Sequence, residues 1–367
     1  MFEYRRDHGE PMIGFLVILL VLLTPTAAPS AWQEEWERVL QAAKKEGSLA
    51  LIGPTGAERR DSLTVPFQKK HGISVEYWAD PAPGIPPRIT AERQAGRYLW
   101  DIVIAGAMED VVLPLKVLEP IEPALILPEV KEAKYWRGGT MEFLDAGRQV
   151  LVMTPFQRGT LFVNTQLADP KAFRSYKDLL DPKWTGKIVT DDPRKAGPGQ
   201  ATFTFFFLHP ELGPGFIRAL AQQKLVFMKD YAQEVDAVGR GKYPIVMGTS
   251  DSLAEERIKQ GIPIAIVDPR QLREGSDVSP ASGVVGLVNR APHPNAANVY
   301  LNWLLSKEGQ TSFARAAGYI SARLDVPTEH AASWRVPQPG AIKTYGLGAR
   351  QEMRNKLMPL LYEIFGR

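Results

Sequence analysis

Apolar positions along this chain follow two alternating rhythms. From Trp36 to Lys45 they recur at helical spacing, with Trp36, Val39, Leu40 and Ala43 on one face, and Gly47 ends the run. Residues 49–52 then form a short continuous apolar block, the signature of a buried strand, and Gly53-Pro54-Thr55-Gly56 turns the chain into another helix. The same exchange repeats downstream. Strands are predicted at 73–78 and 102–104, with a helix over 89–95 between them closed by Gly96. Short apolar strands alternating with helices predict an α/β fold with parallel-rich sheets covered on both faces.

Two strands at 149–154 and 161–164, joined by a polar loop, mark the place where the chain leaves the first domain. A second series follows, with strands at 187–189, 225–228, 245–248 and 264–267. The block at 284–289 returns the chain, and Pro292 to Asn295 starts a long helix with apolar Val299, Trp303 and Leu304. After Pro327 the pattern loses periodicity until a final helix over 351–365. The expected organisation is a discontinuous first domain (31–154 and 283–367), an inserted second domain (155–282) and two hinge crossings. Such a pair of domains closes over a ligand by hinge motion.

Ligands in open α/β sheets bind beyond the carboxyl ends of the strands, which singles out four loops. In the first, Thr55 and Gly56 offer a hydroxyl and bare amides at a helix start, a role compatible with simple capping, and Arg59 follows one turn later. Gly106 and Ala107 end the third strand. Gly199, Gln200 and Thr202 form a glycine-rich nest in the second domain, together with Gly197. Thr249 and Ser250 precede the helix starting at Asp251. Tyr231, after the strand at 225–228, either contacts ligand or packs with a wet hydroxyl. Asp191 and Asp192 sit at a strand end, placed to meet a cation or to cap the next turn.

At 367 residues, with 44% apolar and 23% charged residues, the chain has enough material for two ordinary cores. Arg5 and Arg6, the apolar stretch 12–23 and the small residues Ala28 and Ser30 read as a secretory signal over 1–30, with a retained membrane anchor as the alternative. Removing that segment moves the formal charge from +3 to +4, since three acids and two arginines go with it. So small an excess, with no basic tract, argues against nucleic acid. The absence of cysteine excludes a disulfide framework and thiolate chemistry. GPTGAERR is not a phosphate-binding P-loop, because no Gly-Lys-Ser/Thr closes it. No serine–histidine–aspartate order and no zinc spacing is visible in sequence.

Three separated motifs carry a resemblance. SYKDLLDPKWTGKI with upstream NTQL (164–167), the opening WERVLQAAKKEG and AERQAGRYLWDIVIAG (36–47 and 91–106), and HPNAANVYLNWLLSKEGQ (293–310) resemble the extracellular solute-binding proteins of ABC transporters, ferric-iron-type subgroup. The likeness runs from Trp36 to about Val326. It implies the two-domain periplasmic-binding-protein fold of type II-like form, a periplasmic or extracellular monomer, a small-molecule solute in the interdomain cleft and membrane permease subunits as partners. No cofactor and no catalysis are implied. Members that bind bare iron use an adjacent tyrosine pair with His or Glu. This chain has no Tyr-Tyr, and its five histidines are scattered. The helix starts at Thr55 and Gln200, with free amides and positive dipole ends, instead favour a small polar, anionic or polyhydroxylated solute. Ferric iron or an iron chelate is the first alternative. An enzyme on the same two-domain fold is the second, although the cysteine that porphobilinogen deaminase requires is missing.

Overall fold

A computed structural model describes residues 1–3, 30–80, 82–228 and 230–366; most of the expected signal segment lies outside the described residues. Two mixed sheets, each layered between helices, are joined by a narrow two-stranded ribbon. The first sheet contains β1 (Ser48–Gly53), β2 (Ser74–Ala79), β3 (Ile102–Ala105), β4 (Leu118–Glu119) and β5 (Val150–Val152). The ribbon strand β6 (Phe156–Gln157) leads into the second sheet, built from β7 (Leu161–Asn164), β8 (Ile188–Asp191), β9 (Val226–Met228), β10 (Ile245–Met247) and β11 (Ile264–Ile266). The chain returns through β12 (Val278–Ser279), antiparallel to β6, and β13 (Val284–Val288), which enters the first sheet beside β3.

The spatial orders are β2-β1-β3-β13-β4, with β5 also on β13, and β11-β7-β10-β8-β9. Helix-connected neighbours run parallel, as the alternating pattern predicts: β1 with β2 and β3, and β8 with β9 and β10. The strands that enter straight from the ribbon, β7 and β13, lie antiparallel to their partners. They arrive from the opposite end of the sheet, so both sheets are mixed.

Each sheet buries both faces. In the first, Leu49, Leu51, Ile102 and Ile104 point to one core shared with Phe67, Tyr300 and Trp303, while Ile52, Val103 and Ala105 point to the other. This is the period-two alternation of a strand covered on both sides. The second sheet places Leu161, Val163 and Ile188 on a face with five buried phenylalanines, and Phe162 and Val189 on the face with Val235.

One expectation needs correction. The end of the chain does not belong wholly with the first domain: Met353, Leu357, Leu360 and Leu361 are buried in the second sheet's core, and Arg218 pairs with Glu363 at 2.7 Å. The apolar face of helix Met358–Phe365 could not reveal from sequence which core it would cover. Getting there, the chain passes the ribbon a third time, where Lys343 bridges to Val278 and Thr344 donates to Asp277 at 3.0 Å.

Candidate functional site

The carboxyl ends of β1, β3, β8 and β10 all face the groove between the two sheets, where a cavity of about 470 Å³ opens. Six of the sequence-predicted residues line it: Arg59, Gly106 and Ala107 from the first domain, Gly197, Gln200 and Ser250 from the second. Gly106 is required by packing, because a Cβ there would lie 3.0 Å from the Ala281 carbonyl oxygen. Ala107 takes a left-handed conformation (φ 49°) to start the short helix Met108–Val111, an uncommon backbone for a side chain at a cleft rim.

Other predicted residues take different places. Thr55 and Gly56 are exposed and do not line the cavity; Gly56 (φ 109°) begins helix Ala57–His71, and Arg59 reaches the cleft from its first turn. Gly199 packs on β8, with its amide donating to Asp191 at 3.0 Å, and a Cβ there would come within 2.4 Å of the Asp191 carbonyl oxygen. Gly197, itself on the cavity wall, sits against the ends of Asp191 and Tyr231, which an added Cβ would meet at 2.6 and 2.8 Å. Thr202 and Thr249 are fully buried, with hydroxyls that have no hydrogen-bond partner among the described residues. Tyr231 is half-buried, and burial pushes its phenol up to about 12. The side chains of Thr202, Tyr231 and Thr249 lie outside the cavity lining, in a polar layer beneath the second-domain wall. Asp191 is raised by burial, whereas Asp192 is lowered by its hydrogen bonds from Arg194, 2.8 Å away.

Several lining residues escaped the sequence reading. Arg158 stands in the polar loop after β6, the one local cue being a buried-strand pair interrupted by Gln-Arg-Gly. Thr344, Tyr345 and Arg350 come from the stretch without periodicity, and only the third ribbon crossing brings them to the cleft; Tyr319 follows directly on helix Lys307–Ala317. Arg158 is buried and faces Asp277 at 3.4 Å; Arg350 bonds Glu109 at 2.9 Å, an ion pair from the C-terminal helix to the first domain. Behind Asp251, the buried Arg335 reaches that carboxylate at 3.1 Å and Glu255 at 2.9 Å.

The electrostatic outcome is simple. The cavity is lined by three arginines, and among the described residues Arg158 and Arg350 have carboxylate partners while Arg59 has no ion pair and no side-chain hydrogen bond. Its guanidinium lies 5.6 Å from the Tyr319 ring centroid, half-buried at the cleft wall. Such an arginine offers a planar fork of donors to a carboxylate or phosphate without first breaking a salt bridge. Among the described residues no group of three or more His, Cys, Asp or Glu is arranged to hold a metal ion, and no helix is long and apolar enough to cross a membrane.

Comparison with known proteins places these features in context. Residues 62–338 match the family described as bacterial extracellular solute-binding protein. The fold resembles ferric iron-binding protein A of Mannheimia haemolytica in an open conformation (TM-score 0.67, 15% identity, 87% of this chain and 98% of that one). It also resembles the Trichodesmium protein solved with iron and citrate (0.65, 16%, 88% and 100%). A third likeness is to the Actinobacillus pleuropneumoniae periplasmic binding protein with fructose-6-phosphate bound (0.61, 16%, 86% and 98%). An uncharacterized protein of Haemophilus influenzae is 30% identical over 139 residues, which span 37% of this chain and 38% of that relative's length.

Proposed function

This chain belongs to the bacterial extracellular solute-binding proteins, and from that premise we propose that it captures a small anionic, oxygen-rich solute in the cleft and delivers it to the permease of an ABC transporter. The observation that carries the proposal is Arg59, the cavity-lining arginine with no carboxylate partner among the described residues. A solute anion bound there gains charge-assisted hydrogen bonds in a partly water-excluded groove, each worth about 1.5 to 3 kcal/mol. Gly106 and Ala107 on one wall, and Gln200, Ser250 and Ser252 on the other, add amides and short polar side chains suited to hydroxyl or acid oxygens. Because the walls belong to different sheets joined by a thin ribbon, a ligand touching both favours the closed arrangement by its differential contacts.

The cargoes named for similar folds, iron with citrate and fructose-6-phosphate, share oxygen-rich anionic chemistry. The screen that tests the proposal measures melting temperature of the purified protein with sugar phosphates, phosphonates, di- and tricarboxylates, neutral sugars, polyamines and ferric iron with and without citrate. Stabilisation by an organic anion supports the reading. Stabilisation by ferric iron alone replaces it with iron capture, and stabilisation confined to polyamines shifts the contact to the lining carboxylates Asp110 and Asp251.

A further inference from the structure

At the end of the first sheet opposite the cleft, three residues far apart in sequence meet in a line. Asp101, just before β3, is fully buried and accepts hydrogen bonds from the Ala50 amide at 2.7 Å and the His293 amide at 2.8 Å. Its carboxylate also faces His293 Nδ1 at 2.9 Å. With three donors converging on it, the carboxylate is an acceptor, so the imidazole proton sits on Nδ1. The lone pair of Nε2 then accepts from Ser48 Oγ, 3.1 Å away at the start of β1. The imidazole is about a quarter exposed (26%) and Ser48 is half-buried, so the relay opens to solvent at the serine end.

We propose that Ser48, His293 and Asp101 form a reactive-serine site that attacks small acyl esters, independent of the transport cleft. The order serine–aspartate–histidine was not visible as a motif because no short segment contains it; the sheet brings it together. Geometry and roles, not spacing, define such a relay. As Oγ bonds to the ester carbonyl carbon, its proton passes to His293 Nε2, and Asp101 holds the resulting imidazolium in place. The carbon–alkoxy bond breaks and His293 returns the proton to the departing alkoxide, leaving acyl-Ser48 and an alcohol. Water repeats the sequence, releasing the acid and restoring Ser48.

Glu46 sets the activity level in this proposal. Two residues before Ser48, it accepts from the Ala296 amide at 2.7 Å, from Asn295 Nδ2 at 2.7 Å and from the Asn295 amide at 3.2 Å, at the start of helix Pro294–Leu304. These are the donors an oxyanion next to His293 would need. The carboxylate of Glu46 competes with it, so removal of that carboxylate raises the rate.

The test treats the purified protein with p-nitrophenyl acetate and with a fluorophosphonate probe, following intact mass and mapping the labelled peptide. The expected result is one label on Ser48 and turnover about 10²-fold above Ser48→Ala, whose melting temperature matches the wild type. His293→Gln labels more slowly, and Glu46→Ala labels faster. No label, a label elsewhere, equal turnover in Ser48→Ala, or undiminished labelling in His293→Gln overturns the proposal.

Discussion

Replacing Glu234 by glutamine isolates the cost of a carboxylate that burial holds in its neutral form. Glu234 lies in the first turn of helix Tyr231–Gly239 with no exposed surface. Burial raises its carboxyl from the ordinary 4.5 to about 7, and Asp191 and Asp230 add to the shift. Between those two values the folded protein holds a proton that the unfolded chain releases. Stability therefore falls as pH rises from about 4.5 through 7, and the full loss is present above 7. Holding the ionised carboxylate in that site costs about 3 kcal/mol, at about 1.36 kcal/mol for each tenfold change in proton affinity.

His71 hides this slope in the wild type. Burial lowers its imidazole from 6.5 to about 4, so the unfolded chain binds the extra proton there and stability rises with pH across that window. The two slopes oppose each other between about 4.5 and 6.5, and subtraction separates them. Urea denaturation of both proteins from pH 4.5 to 8 should show a gap in favour of Glu234→Gln that grows from near zero to about 3 kcal/mol. A constant gap, or one that shrinks as pH rises, refutes the reasoning.

Arg59→Gln should weaken a cleft anion roughly 10- to 150-fold, from the loss of about 1.5 to 3 kcal/mol, with melting nearly unchanged because Arg59 has no ion pair among the described residues; calorimetric titration measures both sides of that claim. Gly199→Val should act on the fold before the ligand, lowering the melting temperature, since its Cβ would press on the Asp191 carbonyl oxygen at 2.4 Å. An unaltered melting curve would remove that packing role. Thr55→Ala should leave affinity and stability within about 0.5 kcal/mol of wild type, because Thr55 is exposed and outside the cavity lining; a tenfold affinity loss contradicts this placement.

The parts of this protein written in local chemistry were legible. The apolar blocks at 49–52, 102–104, 161–164 and 245–248 became β1, β3, β7 and β10, in place to within a residue. The rule about strand ends put Gly106, Ala107, Gly197, Gln200 and Ser250 on the cavity wall, because a strand end and a helix start can both be read from sequence. It failed by a turn at Thr55 and by one layer at Thr202, Thr249 and Tyr231. Whether a side chain at a loop lines the groove or lies beneath it depends on the twist and tilt of the helix it starts. The third crossing was invisible for a different reason. Thr344, Tyr345 and Arg350 sit in a stretch held by single side-chain bonds such as Thr344 to Asp277, which leave no periodic trace. The Ser48–His293 contact, 245 positions apart, is equally a product of tertiary structure.

The central claim is most directly tested by a crystal structure of the protein with the anion that gives the largest stabilisation in the screen. The account predicts the anionic group within hydrogen-bond distance of the Arg59 guanidinium, with further contacts to Gly106 or Ala107 on one wall and Gln200 or Ser250 on the other. A ligand bound outside the groove, or one inside it held by Asp251 and Asp110 with Arg59 untouched, contradicts it.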